Sequence, residues 1–241
     1  MEWSDEGLII GVRKHGESSV IVEAMTRAHG RHLGIVKGGR SARLRPLLQP
    51  GNSVDLVWRA RIEEHLGVYS IEARTQRAAR IMDSVAALHG LHVVAALLRL
   101  LPERDPHPAL HETAELIADH CDDVDIAPAL IVRMELAILS ELGFRLDLAA
   151  CAATGAREDL VYVSPKSARA VSRVAGAPWR DRLLPLPAFL RASDSPLSLQ
   201  DIRDGFRLTG FFLERDIFGP RGLVMPESRA AYLAALEASK S

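Results

Sequence analysis

The hydrophobic period of this chain changes once, near residue 75, from two to 3.6, and no single layer of secondary structure accommodates both. Before the change, apolar and β-branched residues gather in five short runs: 8–12, 19–25, 32–36, 54–58 and 66–71. Turn material separates them, with Pro50-Gly51-Asn52 the strongest signal and one long connection between the third and fourth runs. Five strands in about 70 residues with that one long connection predict a Greek-key barrel of the oligonucleotide-binding (OB) type. An SH3-like barrel meets the same pattern. Residues 43–49 read as a short helix inside the long connection.

After residue 75 the spacing is helical. Helices are predicted over about 77–101, 108–122 and 127–142, the last closed by Gly143. Periodicity then lapses over 144–165, where 159–164 reads as a strand. Helices follow near 166–175, at about 198–217 behind a Ser198 N-cap, and at about 227–238. The predicted class is therefore α+β: a five-stranded OB-fold barrel over 1–76, then a mainly α-helical domain over 77–241 with a small irregular insert at about 144–165.

Length and composition agree with that division. The chain has 241 residues, 48% of them hydrophobic and 25% charged, enough to bury roughly 70% of the unfolded chain's surface without disulfides. The longest apolar stretches are too short or too interrupted for the ~20 residues that a bilayer requires, so no membrane residence is expected. The acidic first residues do not resemble a signal peptide, which points to the cytoplasm. The two cysteines, Cys121 and Cys151, cannot make a four-thiolate metal site by themselves.

The net charge of −1 conceals a segregation: residues 1–80 carry +4, residues 81–160 carry −9 and residues 161–241 carry +4. Between residues 27 and 45 stand six cations, Arg27, Arg31, Lys37, Arg40, Arg43 and Arg45, with two histidines and no carboxylate. An acid-free run of this kind predicts a polyanionic partner. The glycines beside Lys37 and Arg40 would let a backbone approach phosphates closely, and Arg59 and Arg61, two apart at a strand end, project to one side. Stacking aromatics are few in the first 80 residues: Trp3, Trp58 and Tyr69, with Trp58 and Tyr69 equally suited to a core. Binding should thus be electrostatic and largely independent of sequence.

Other motifs lack an essential part. Gly11 to Ser18 approaches a phosphate-binding loop but has Glu17 where a lysine is needed, and it joins two strands. His107, His111 and Glu115 share a helix face, with His89 and His92 on the preceding helix, yet the second histidine of HExxH is replaced by Glu115. A metalloenzyme built on that cluster is one rival reading; an RNA- or ribosome-binding barrel is another. No nucleophile elbow or nucleotide fingerprint is present, and the expectation is a protein that is not an enzyme and has no cofactor.

Four segments in order resemble the RecO family of bacterial recombination mediators. Gly34-Ile-Val-Lys37-Gly-Gly-Arg40 is similar to its VKGAR-type strand end, and Leu47-Leu48-Gln49-Pro50-Gly51 follows. Arg133-Met-Glu135-Leu-Ala-Ile-Leu139-Ser-Glu-Leu-Gly143-Phe144 is similar to its F-E-L-x-L-L-x-x-L-G-[FY] helix, and Cys151-Ala-Ala-Thr154-Gly155 follows in the insert. The resemblance implies binding of single- and double-stranded DNA, annealing of strands coated by single-strand-binding protein, and partnership with RecR in loading RecA. It carries DNA contact to Lys37 and Arg40, and contact with the C-terminal tail of single-strand-binding protein to Arg133. Arg203 and Arg207, spaced i and i+4 on a helix with Phe206, Phe211 and Phe212, form a second candidate for that tail. Zinc-bearing relatives resemble CxxC…CxxC; here Thr154, Ser164 and Ser167 stand near the other ligand positions, so the insert is expected to be a degenerate zinc-finger-like element without metal.

Overall fold

The computed structural model describes residues 1–62, 64–191 and 197–239. It contains two compact units, Met1–Ala127 and Pro128–Ser241.

In the first unit, β1 (Glu2–His15), β2 (Ser19–Thr26), β3 (Gly30–Val36), β4 (Ser53–Arg59) and β5 (Val68–Thr75) form a closed barrel in the order β1-β2-β3-β5-β4. That order, with the parallel pairing of β3 and β5 where Ile35 faces Val68, is the OB arrangement and removes the SH3-like alternative. Closure depends on the length of β1. Its residues 7–15 pair with β2, its residues 2–8 pair with β4, and a bulge between Ile9 and Gly11 turns the strand from one partner to the other. The hydrophobic pattern reveals only the central part of β1, because residues 2–6 are mostly polar and are strand by virtue of pairing with β4. Ile9, Val22, Val54, Leu56, Trp58 and Tyr69 fill the interior.

α1 (Ala78–Met82), α2 (Val85–Leu98) and α3 (Pro108–Asp119) group with the barrel in the same compact unit. Arg77 is buried where β5 gives way to α1. Its Nε donates to Asp119 at 2.6 Å, its Nη2 to Glu115 at 2.9 Å and its Nη1 to the Gly51 carbonyl at 3.3 Å. The Asn52 side-chain oxygen accepts the N–H groups of Arg77 and Ala78. The single helix expected over 77–101 is interrupted at Ser84, whose hydroxyl caps α2 by accepting the Ala87 N–H.

The second unit holds most of α4 (Ala127–Glu141), then a small antiparallel sheet in the order β7-β6-β8, from β6 (Leu160–Val163), β7 (Ala170–Ser172) and β8 (Leu184–Pro185). The helix expected near 166–175 is instead β7 followed by the single turn α5 (Arg173–Gly176). α6 (Leu199–Leu213) starts with a reciprocal capping box between Ser198 and Asp201, and α7 (Glu227–Ser239) ends the described chain. α6 stops four residues short of its expected end because Glu214–Phe218 widens into a π turn.

The zinc-finger-like character expected for the insert is not shown by this geometry. The Cys151 sulfur accepts the Ser172 N–H at 3.3 Å, and the Ser164 hydroxyl accepts the Ser167 N–H at 3.3 Å, so these positions serve turns beside the small sheet.

Candidate nucleic-acid interface

Residues 37–52 connect β3 to β4 as a succession of tight turns, where the sequence predicts a short helix over 43–49. Helix-like bonds are present, from Arg45 N–H to the Ser41 carbonyl and from Leu48 N–H to the Leu44 carbonyl, but they do not propagate. Leu44, Leu47 and Leu48 pack against the barrel core, which turns Arg43 and Arg45, on either side of Leu44, outward. Gly39 makes the seat possible: a Cβ there would lie 2.6 Å from the Val20 side chain. With Gly39 pressed against the barrel, Lys37 and Arg40 on either side of it are exposed. The Arg40 N–H donates to the Ser18 carbonyl at 3.0 Å and its guanidinium to the Glu17 carbonyl, which fixes the loop over the β1–β2 turn.

The structure separates the eight predicted cations into two groups. Among the described residues, Lys37, Arg40, Arg43, Arg45 and Arg61 have no carboxylate partner and are exposed. The other three are engaged within the protein. Arg31 is only 12% exposed, with Nη1 2.9 Å from Glu23 and 3.3 Å from Glu103. Arg27 bridges Glu6 at 3.2 Å and Glu112 at 3.0 Å, and Arg59 meets Glu2 at 2.8 Å, both at exposed sites where water screens the pairing.

Of the three barrel aromatics, two are core and Trp3 is half-buried. Trp58 and Tyr69 are buried, the Trp58 indole donating to the Leu66 carbonyl at 3.0 Å. Trp3 stacks on His29 at 3.9 Å between centroids, and His29 Nδ1 lies 2.7 Å from Asp5. His32 sits between Trp58 and Tyr69, and burial, aided by the charge of Arg104, lowers its pKa to about 4.

Glu115, the acid of the histidine cluster, is engaged elsewhere. Glu115 accepts from Ser53 and from Arg77, while His111 is buried 3.7 Å from it and held below the usual histidine range by that burial. Among the described residues, no three His, Cys, Asp or Glu side chains gather as a metal site.

In the second unit, the half-buried Arg133 donates to the Phe189 carbonyl at 2.8 Å. Arg203 pairs with Glu237 at 2.8 Å, and Arg207 is exposed. Of the nearby aromatics, Phe206 and Phe212 are buried and Phe211 is 38% exposed, so Arg203, Arg207 and Phe211 form an i, i+4, i+8 row on α6.

Two family models match the chain: "Recombination protein O N terminal" over residues 1–75, and "Recombination protein O C terminal" over residues 82–223. The chain belongs to the RecO family. A protein of Methylocella silvestris called DNA repair protein RecO is 65% identical over 236 residues, covering 97% of this chain and 95% of that protein. Proteins of the same name from Chelativorans sp. and Mesorhizobium japonicum are 59% and 60% identical, each covering 98% of this chain and 96% and 94% of their own lengths. Membership assigns the chain to DNA repair. The N-terminal match ends where β5 ends, and the C-terminal match stops short of α7.

What sequence reasoning missed in this family member is an internal ion pair. Glu135, a member of the helix motif, is completely buried, and Arg229 of α7 meets it at 2.7 and 3.1 Å. The Thr209 hydroxyl also donates to Glu135, and the Arg229 guanidinium lies 4.9 Å from the Phe206 ring centroid. A glutamate in an apolar helical register was the available signal; nothing in the sequence named its partner 94 residues away.

Proposed function

We propose that this chain is a non-enzymatic recombination mediator of the cytoplasm, associated with the nucleoid, that binds single- and double-stranded DNA through Lys37, Arg40, Arg43, Arg45 and Arg61. Arg27 and Arg59 are peripheral contacts that must first exchange a carboxylate for phosphate. The observation that carries this reading is the set of five exposed cations on one barrel that have no carboxylate partner among the described residues, while Arg31, Arg77 and Arg229 are held in ion pairs. Cations on the barrel lower the repulsion between two phosphate backbones, which is the physical requirement for annealing complementary strands. The second unit would receive the acidic C-terminal tail of single-strand-binding protein. The row of Arg203, Arg207 and Phe211 supplies cations and an apolar side chain together, as such a tail requires, with Arg203 exchanging Glu237 for the tail, whereas Arg133 is half-buried and holds a backbone carbonyl. Cooperation with RecR in loading RecA completes the role.

Annealing of complementary strands coated with single-strand-binding protein is the test. The wild type should accelerate it, and Lys37→Ala with Arg40→Ala should lose most of the acceleration while keeping the melting temperature. Competition with RNA of equal length at fixed salt is run beside it. Stronger competition by RNA than by DNA would transfer the reading to an RNA- or ribosome-binding barrel.

A further inference from the structure

The segment 166–191 of the second unit carries six cations, Lys166, Arg169, Arg173, Arg180, Arg182 and Arg191, and one acid, Asp181. In its middle, Trp179 is 57% exposed, while the tryptophans of the barrel are the buried Trp58 and the half-buried Trp3. The indole is held up by its surroundings. Ala177–Arg182 is a 3-10 turn with Pro178 in its first positions, and β8 follows immediately, pairing Leu184 with Val163 and Pro185 with Tyr162. At the other end, Gly176 lies so close to Tyr162 that a Cβ would be 2.5 Å from the ring. The turn is therefore anchored at both ends to the small sheet while Trp179, Arg180 and Arg182 remain exposed.

The charges around the ring are available. Arg180 meets Asp181 only at 3.7 Å, with the two side chains 72% and 92% exposed, and Arg182 places its guanidinium 5.9 Å from the Trp179 centroid. Arg169 and Arg173, by contrast, are paired with Asp147 and Asp159 at 3.3 and 3.1 Å. A protruding flat ring with a cation beside it offers a face on which a planar base can stack and a charge for the adjoining phosphate. An aliphatic peptide side chain would instead need a groove around it.

We propose that Trp179, with Arg180 and Arg182, is a second single-strand contact, stacking an unpaired base and holding the phosphates on either side of it. This rests on the DNA-binding reading above and extends it to a different unit with a different chemistry: the barrel supplies charge without stacking, and this turn supplies stacking.

The test uses the full chain and an oligodeoxythymidylate about 30 nucleotides long, beyond the roughly 16 that one barrel of this type covers. Because Trp58 is buried and cannot stack on a base, quenching by the oligonucleotide reports mainly on Trp179 and Trp3. The oligonucleotide should quench the wild type. Trp179→Phe should bind as tightly but show little of the quenching. Trp179→Ala should bind about fivefold to a hundredfold more weakly with its salt slope kept. Arg180→Gln with Arg182→Gln should lower the slope by about 1.4, at about 0.7 for each phosphate no longer neutralised. Wild-type affinity in Trp179→Ala, with weakened binding in Lys37→Ala/Arg40→Ala, would overturn this contact and leave the barrel reading intact. A wild type that does not bind the oligonucleotide at all would remove both. Quenching of Trp179 by an acidic peptide but not by the oligonucleotide would give the turn to a protein partner and overturn the proposal.

Discussion

Salt dependence separates the cations that the structure leaves free from the one that it buries in an ion pair, although both kinds come from one acid-free run of sequence. Removing a cation that neutralises a phosphate lowers the slope of log affinity against log salt by about 0.7 on a single strand. Lys37, Arg40, Arg43 and Arg45 have no carboxylate partners among the described residues, so replacing all four by alanine should lower the slope by about 2.8. Between about 50 and 200 mM salt the affinity of the variant should therefore fall roughly fiftyfold less than that of the wild type. Arg31→Gln is the control. Arg31 is 12% exposed and held by Glu23 and Glu103, so its loss should leave the slope unchanged and cost about 1–3 kcal/mol of stability by uncovering Glu23, which Arg99 partly serves at 2.7 Å. The assay is anisotropy of a labelled single strand across a salt series, with urea unfolding of each variant. A quadruple variant that keeps the wild-type slope would place the DNA elsewhere. An Arg31→Gln slope reduced as far as one free cation would refute the division into free and paired charges.

Three further outcomes are expected. Arg229→Met should destabilise the protein by about 3–5 kcal/mol, because Glu135 stays completely buried without its cation, and adding Glu135→Gln should recover part of the loss in thermal unfolding. His32, held at about 4 by burial against an unfolded value of about 6.5, favours folding fully above pH 6.5; that stability is lost as pH falls from 6.5 to 4, by about 3 kcal/mol, and His32→Gln should flatten the decline in urea titrations between those limits. An acidic tail peptide with apolar C-terminal residues should bind Arg203→Ala/Arg207→Ala at least tenfold more weakly, and should bind Arg133→Ala like wild type once any change of stability from the missing Phe189 hydrogen bond is accounted for.

The barrel was legible because each of its strands carries an apolar run; in β3, residues 30, 32, 34 and 36 are buried and the residues between them are half-exposed. The first residues of β1 were not, because pairing with β4 makes them strand without any apolar alternation. The break at Ser84 was concealed for the opposite reason. The apolar residues on both sides keep a helical period across it, so only the cap shows where one helix ends and another begins. At the interface, the sequence supplied residue type and local charge. It could not show that Arg31 meets Glu23 of the neighbouring strand and Glu103 beyond α2, nor that Arg43 points outward because Leu44, Leu47 and Leu48 seat the connection on the core. Trp179 gave no signal because a lone tryptophan among prolines carries no period from which its exposure could be read.

The segregation of charge along the chain gains a physical meaning inside the first unit. The acidic middle third begins with the helices that pack beside the barrel, and its carboxylates reach back to barrel and junction cations: Glu112 to Arg27, Glu103 to Arg31, and Glu115 and Asp119 to Arg77. Those pairings neutralise the barrel on the side that α3 covers. None of the four reaches the β3–β4 connection, whose cations face water. A polyanion approaching this unit therefore meets compensated charge on the helical side and uncompensated positive charge at residues 37–45, so the acids of the middle third direct it as surely as the cations attract it. Reversing one of them tests the idea away from the five unpaired cations. Glu112 is 60% exposed and its replacement leaves Arg27 with Glu6 alone, so Glu112→Lys should strengthen non-specific binding at low salt and steepen the salt slope without touching Lys37, Arg40, Arg43, Arg45 or Arg61. Binding unchanged from the wild type across the salt series would mean that the acidic helices play no part in steering.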